Sequence, residues 1–534
     1  MRRPVLCLAL LLCLSGAARG QSPAGFVFGM EYAFPGTTSY WAASQYAELG
    51  ATSCKFNGKG TFWGDVETAP PVDGVHSYDW SRVDESVDAL HRAGFTNLTV
   101  VIGSQCAWGS EPLGDLEALF PDASTMPKDE HLGDYIEWVF SFVERYDMDG
   151  VDDMPGLAAP ILNYEILTEA QHYVYWYGDE EDYVTLLRIS YEAVKAANPA
   201  TQVILSGFWF ADIFDGGPLA DAEMTNKFFS SLLSYFWSGD LRFWILWNYA
   251  RSYGFNRRIL EEGDYFDAVE FHLLSNYTAV EGTADFIRRE MAKNGYNKPI
   301  WIGDCGALPQ IPCHDRKTWD AVLTSISLFQ PARYADGDVI FDVLTQKTDA
   351  GGYTYPQVLD WYYRDQACHL AKSLIAAMGN GLAGANVFTW LDGLVMPDML
   401  ATERNWQIGG LREGGLGQEL PVGPPRPSFH TYKLIVARLG GFASAAKVLG
   451  TGTKGTVVYR FDLAGGPVFA AWYDEAPIGP GNAERPRTVN LSSLIGKDQV
   501  EVTRIITRFG VDSPAVETAS ASALTLTDVP VLIR

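Results

Sequence analysis

The sequence predicts an α/β fold, an eight-stranded parallel (β/α)8 TIM barrel followed by a small antiparallel β-sandwich. Three observations carry this. From residue 25 to about 440, apolar strand-like runs alternate with amphipathic helical stretches. No glycine-rich dinucleotide turn follows the first run, which counts against a doubly wound open sheet. After residue 440 the chain turns to short alternating runs broken by Gly, Pro, Asp and Asn.

The predicted barrel strands are Phe26–Tyr32, Ala51–Phe56, Asn97–Gly103, Ala159–Leu167, Gln202–Gly207, Phe266–Leu273, Pro299–Cys305 and Ala385–Trp390. Helices fit between them at Ser39–Leu49, Trp80–Ala93, His131–Tyr146, Asp182–Ala197, Gly282–Asn294 and Tyr363–Met378. A Gly- and Pro-rich stretch, Gly409–Ser428, precedes His430–Leu439, the expected last barrel helix. Two connections, Ala107–Pro160 and Phe208–Gly263, are long, and in a barrel such insertions belong mostly to the catalytic face. The sandwich strands are expected at Gly455–Asp462, Val468–Tyr473, Arg487–Leu491, Val500–Thr507 and Ala523–Leu532. The domains are thus residues 21–440 and 441–534.

Residues 1–20 have the order of a secretory signal peptide: Arg2 and Arg3, an apolar run from Val5 to Leu14, then small residues ahead of Gln21. A secreted, periplasmic or extracellular protein is expected. The apolar run is shorter than the roughly 20 residues of a membrane span, and no later run predicts one. The formal net charge of −25 argues against nucleic acid or an anionic membrane surface as partner. Aromatics form 13% of the chain, including 16 Trp, which suits stacking on sugar rings and equally suits a large core. Outside the leader the cysteines are Cys54, Cys106, Cys305, Cys313 and Cys368, with no Cys-x-x-Cys or His/Cys cluster. No metal or cofactor is predicted. Cys305 and Cys313 are spaced to bridge a loop, and two free buried thiols fit as well. The acidic stretch Asp147–Asp153 has the oxygens of a calcium loop but lacks the glycine position and distant Glu of an EF-hand, and reads as a solvated turn.

Two strand ends carry the chemistry. Asn163-Tyr-Glu-Ile-Leu-Thr-Glu169 places Glu165, Leu167 and Glu169 on one face of a strand, with Glu169 at its end. Lys298-Pro-Ile-Trp-Ile-Gly-Asp-Cys-Gly306 is an apolar strand ending in Asp304 before Gly306. Retaining glycosidases need such a pair, one carboxylic acid to protonate the leaving oxygen and one carboxylate to attack the anomeric carbon.

These segments resemble clan A of the glycoside hydrolases, most of all family 39-type enzymes. The clan pattern Tyr-Glu-Ile-Trp-Asn-Glu-Pro matches Tyr164 to Ala170, and Lys-Pro-Ile-Trp-Ile-Thr-Glu-x-Gly matches Lys298 to Gly306. The resemblance implies Glu169 as acid/base and Asp304 in the nucleophile position, acting on a β-linked polysaccharide or oligosaccharide. It further implies substrate contacts from Lys55, Trp63, Trp108, Thr168, His272, Tyr277 and Trp390. His272 is also compatible with a satisfied core histidine, and Trp63 and Trp108 with core packing. Three positions depart from the clan: Thr168 replaces the asparagine before the acid/base, Lys55 replaces an arginine, and Asp304 replaces a glutamate. Glu165 is expected to pair with Lys55. Glu169 is expected to have a raised pKa. The missing methylene at Asp304 is expected to widen the carboxylate gap unless the strand moves inward. A barrel that binds polysaccharide without cutting it is the alternative.

Overall fold

The computed structural model describes residues 25–32, 47–56, 60–114, 123–173, 175–274, 276–306, 316, 320, 323–324, 327–387, 425–449, 453–474, 479–480 and 485–534. Eight parallel strands close into a barrel in sequence order. They are β1 (Val27–Tyr32), β2 (Ser53–Phe56), β3 (Asn97–Ile102), β4 (Asn163–Ile166), β5 (Gln202–Trp209), β6 (Ala268–Leu273), β7 (Ile300–Cys305) and β8 (Gly384–Val387). Each lies within a predicted run or overlaps it closely. β4 is the most shortened, because Ala159–Leu162 includes Pro160, which has no N–H for a ladder.

Around the barrel run α1 (Ser81–Arg92), α2 (Leu132–Arg145), α3 (Glu180–Ala197), α4 (Asp221–Ser238), α5 (Arg242–Ile259), α6 (Ala279–Lys293), α7 (Gly337–Gln346), α8 (Tyr355–Gly379) and α9 (Pro427–Leu439). α1 shows why these form: Val83, Val87 and Leu90 recur at helical spacing and are fully buried against the strands. α3 begins at a capping box, in which the Asp179 carboxylate accepts from the Asp182 N–H and Asp182 returns the bond. Of the expected helix Ser39–Leu49, only a 3-10 turn at Ala47–Leu49 lies within the described residues.

The insertion after β5 folds into the antiparallel pair α4 and α5, turning at Gly239 with φ of 69°. A third long connection, between β7 and β8, contains α7 and was not singled out in the sequence. In the acidic stretch, Asp147, Asp149 and Asp153 accept bonds from N–H groups of their own loop and bring one carboxylate oxygen each to within 4.8 Å of one another, an arrangement that a solvated turn and a cation loop share. Cys54, Cys106, Cys305 and Cys368 are free buried thiols, and Cys313 lies outside the described residues.

The C-terminal region is a six-stranded antiparallel sheet faced by a two-stranded one. The larger contains β9 (Ser444–Lys447), β10 (Thr456–Leu463), β11 (Gly466–Tyr473), β13 (Gln499–Arg504), β14 (Val516–Ser520) and β16 (Val531–Ile533), and the smaller β12 (Arg487–Val489) and β15 (Leu524–Leu526). Phe469, Val489, Leu491, Leu524 and Val531 form part of the apolar layer between them. Two of these strands, β9 and β14, have no counterpart among the predicted runs, and Ala523–Leu532 divides into β15 and β16. α8 joins the two parts: Arg364 pairs with Asp528, and Lys372 Nζ lies 3.6 Å from Asp474.

Candidate active site at the barrel mouth

The barrel interior is organised around one buried cation. Lys55, on β2, is wholly enclosed, with Nζ 2.9 Å from Glu165, 3.5 Å from Asp304, 4.0 Å from Glu31 and in closer contact with Glu270. These carboxylates come from β4, β7, β1 and β6, so a single ammonium ties together strands from all round the barrel. Burial pushes the lysine pKa down, and the four carboxylates more than reverse this, holding it well above its ordinary value. Such a lysine stays charged. The expected Glu165–Lys55 pair is present.

The same field divides the carboxyl groups. Burial, with Glu270 nearby, pushes Glu165 up to about 8, against the pull of Lys55. Burial and the charge of Asp304 raise Glu31 well above the carboxylate range, so its proton is shared with Asp304. Asp304 moves the other way: burial opposes ionisation, but His272, Lys55 and the bond from Glu31 lower its pKa. Asp304 is therefore ionised at neutral pH.

His272 follows Glu270 by two residues on β6, so both side chains point into the barrel. Two glycines make room for them. A Cβ at Gly207 would lie 2.1 Å from His272 Nε2, and one at Gly303 would lie 1.6 Å from Glu270 Oε1. Both occur at irregularities: β5 carries an extra residue between Leu205 and Phe208 relative to β6, and β7 one between Ile302 and Cys305 relative to both neighbours. The bulge on β5 aims the Gly207 N–H at Glu165 Oε1, 3.1 Å away. The bulge on β7 contains Asp304, and bulges re-aim side chains.

Glu169 stands just past β4, with φ of 43°, two residues after Leu167 at φ of 59°. Left-handed backbone is rare for such side chains and concentrates at functional sites. Its Oε1 accepts from His272 Nδ1 at 2.6 Å and its Oε2 from His172 Nδ1 at 3.1 Å. His172 is held in turn by the rings of Trp209 and Tyr249, at 5.0 and 5.8 Å. Burial raises the Glu169 pKa, but the bonds from His172 and His272 outweigh it and hold the group far below the carboxylate range. The expected raised pKa is thus corrected: two imidazole donors overcome desolvation. The proton resides on His272, whose pKa burial lowers but Asp304 and Glu169 raise well above the usual value.

His272 also fixes the separation of the two principal carboxylates. Its Nδ1 lies 2.6 Å from Glu169 Oε1 and 3.4 Å from Asp304 Oδ2, so those oxygens are at most about 6 Å apart. Inverting glycosidases leave ~6.5–9.5 Å for a water, retaining ones ~5–5.5 Å. That bound lies between the two ranges, and the oxygens concerned face each other across His272 Nδ1. Asp304 reaches the centre from an irregular strand.

The remaining predicted site residues divide. Lys55 and His272 contact both the cluster and Asp304. Thr168 is half-buried beside Glu169. Trp63 is fully buried, donates to Glu67 at 2.9 Å and packs edge-on against Trp108 at 4.8 Å. Trp63 is therefore a core residue, and the half-buried Trp108 bonds to the Glu67 carbonyl in the same wall. Tyr277 is corrected outright: its hydroxyl donates to Asp474 and accepts from Trp472, both in the C-terminal part. Trp390 lies outside the described residues. Sequence reasoning missed Glu31, Glu270 and His172, although an acid midway along an apolar strand was a usable signal for the first two. It also missed Tyr175, 39% exposed, whose hydroxyl is pushed up by burial and then by Glu169, Asp304 and Glu31. Glu165, Glu270 and His272 have the composition of a metal site, with ligand atoms within 4.8 Å of one another, but the Lys55 ammonium already serves that position.

The chain is a closed (β/α)8 barrel with an appended antiparallel β-domain, a fold it shares with solved structures of glycosidases. A glucosidase from Croceicoccus marinus superposes with a TM-score of 0.52 at 12% identity, over 96% of this chain and 97% of that one. A monomeric β-xylosidase from Caulobacter crescentus CB15 gives 0.50 at 15% identity, with the same two coverages. The catalytic domain of the glycoside hydrolase family 30 xylanase C from Talaromyces cellulolyticus gives 0.50 at 10%, again over 96% and 97%. At these identities the likeness is one of fold. No family model matches the chain, and no curated protein matches it by sequence. Among the described residues no helix is long and apolar enough to cross a membrane.

Proposed function

We propose that this chain is a retaining glycoside hydrolase of β-linked polysaccharide or oligosaccharide, with Asp304 as nucleophile and Glu169 as acid/base. One observation carries the reading: two carboxylates, at the ends of β4 and β7, have oxygens at most about 6 Å apart through a shared histidine. Asp304 is ionised, as attack requires. Glu169 needs a proton at the moment of bond cleavage, and His272 holds one on the atom 2.6 Å from its oxygen. Transfer along that bond loads Glu169, which protonates the leaving oxygen as Asp304 bonds to the anomeric carbon. Glu169 then takes a proton from the water that releases the sugar. A secreted location accords with a glycan substrate.

The firm hold of two histidines on Glu169 favours a second reading, a barrel that binds glycan without cutting it. An activity panel of aryl glycosides and polysaccharides separates the two, with the product anomer followed by NMR. The enzyme reading expects retention of configuration and no activity in Asp304→Asn. It expects Glu169→Gln to lose on the order of 10²–10⁴-fold on poorly activated substrates. Binding with no turnover in the parent would leave the second reading.

A further inference from the structure

The loop that leaves Glu169 carries three tyrosines at alternate positions. Tyr173, Tyr175 and Tyr177 are 40%, 39% and 39% exposed. Between the last two, Trp176 is fully buried, and a Cβ at Gly178 would lie 2.7 Å from its ring. The backbone here is pinned to the β3–α2 connection. The Ser124 N–H donates to the Tyr175 carbonyl and the Tyr177 N–H to the Ser124 carbonyl, each at 2.8 Å. On the other side Arg251 of α5 stacks over the Tyr173 ring at 4.1 Å and donates to the Gly178 carbonyl at 2.7 Å. Exposed rings on a backbone held from two sides meet a ligand at little ordering cost.

These rings adjoin the acid/base. Enclosure of the Tyr175 hydroxyl, then the charges of Glu169, Asp304 and Glu31, push its pKa up, which places that tyrosine in the field of the reacting groups. Tyr173 and Tyr177 lie together, with centroids 5.9 Å apart. On α5, Tyr249 packs edge-on against His172, which bonds to Glu169. Arg251 follows on the same helix and shares a face with Asn248 and Trp247, three and four residues back and both exposed. Aromatic faces interleaved with phenol, guanidinium and amide groups suit a sugar chain, whose apolar ring faces stack while its hydroxyls find donors and acceptors.

We propose that Tyr173, Tyr175 and Tyr177 form a stacking platform for the leaving half of the substrate, and that this half is a sugar chain instead of a small alcohol. The choice of side rests on the hydrolase reading: the acid/base protonates the leaving oxygen, so the leaving group lies on the side of Glu169 and of the loop that continues from it. A single leaving sugar would meet Tyr175 alone. Tyr173 and Tyr177, paired farther along the loop, serve a chain that runs on past the cut.

The test compares short and long β-linked oligosaccharides of xylose, glucose and mannose with the nitrophenyl glycoside of each sugar, using the full chain. For the parent, kcat/KM should rise with the length of the chain beyond the cut. Tyr173→Ala with Tyr177→Ala should keep the melting temperature and lower kcat/KM on long oligosaccharides by at least ~tenfold, the low end of what truncating an anchoring ring costs. The nitrophenyl glycoside, whose leaving group is too small to reach the pair, should lose less. Tyr173→Phe with Tyr177→Phe keeps both rings and should retain most of the preference for length. Equal loss on both kinds of substrate, or loss on neither, overturns the platform and leaves the hydrolase reading intact. A parent that binds long chains in calorimetry without cutting them removes the hydrolase reading, and the platform then stands only if the alanine pair weakens that binding by the same factor. Failure to bind any of the chains, or a dimer in sedimentation velocity that the alanine pair dissociates, overturns the proposal.

Discussion

Replacing Lys55 by methionine keeps most of the length of the side chain and removes, among the described residues, the ammonium in contact with Glu165, Glu270, Glu31 and Asp304. In the parent these groups surround one enclosed cation at 2.9 to 4.0 Å, with Glu270 closer still. Removing one partner of a buried ion pair costs about 3–5 kcal/mol, because the remaining charge has no compensation. Here the survivors have a way out, which is to take up protons. Their folded-state pKa values then rise above the unfolded carboxylate values near ~4. A raised carboxyl pKa means the folded state binds more protons, so the stability is present at low pH and lost as pH rises. The deficit of Lys55→Met should therefore be about 3–5 kcal/mol at pH 8, and roughly half that or less at pH 5. Thermal or urea unfolding of parent and variant at both pH values measures it. A deficit equal at the two pH values would refute the reasoning, because lost packing titrates no group.

Asp304→Glu extends the carboxylate by about 1.5 Å toward Lys55 and His272, which already lie 3.5 and 3.4 Å away. Turnover on any glycoside the parent cleaves should fall by on the order of tenfold to a hundredfold, and a gain would show that β7 has not adapted to the shorter side chain. Gly303→Ala places a methyl group 1.6 Å from Glu270 Oε1, so it should destabilise by about 1–3 kcal/mol or more, as overpacking does, and an unchanged melting temperature would exclude the bulge geometry described. Glu165→Gln imitates the protonated form that a pKa of about 8 maintains at neutral pH. In the parent the raised pKa makes stability fall as pH climbs from ~4 toward 8, so the variant should unfold with the parent near pH 4 and become progressively the more stable of the two up to about pH 8, as chemical denaturation at each pH would reveal.

The sequence made the barrel legible because parallel strands buried on both faces read as unbroken apolar runs. Lys55, Glu169, His272 and Asp304 were legible through the strands that bear them and the clan resemblance. The conversation among them was not. Whether Glu169 is loaded or ionised depends on His172 and His272, which approach its two oxygens from a neighbouring loop and from β6. Tyr277 shows the limit of reading by position: it follows β6 as the clan tyrosine does, yet its hydroxyl is claimed by Asp474, nearly two hundred residues later. The bulge that delivers Asp304 leaves no mark in composition beyond Gly303. β9 and β14 escaped notice because half-exposed edge segments such as Ser444–Lys447 carry little apolar pattern.

The join at α8 makes the C-terminal sheet a stave of the barrel instead of a pendant. Gly379 has no side chain because the ring of Tyr459 occupies that space, and a Cβ there would come within 2.1 Å of it. Tyr459 stacks on Trp472 at 5.8 Å, and Trp472 donates to Tyr277 of the barrel. Thr431 of α9 exchanges bonds with both backbone groups of Ile506. A chain ended at residue 440 would strip Lys372 of its Asp474 and bare the groove along α8, leaving a wall of the barrel unroofed. A module exchange that kept these contacts would have to carry the C-terminal sheet together with α8 and α9.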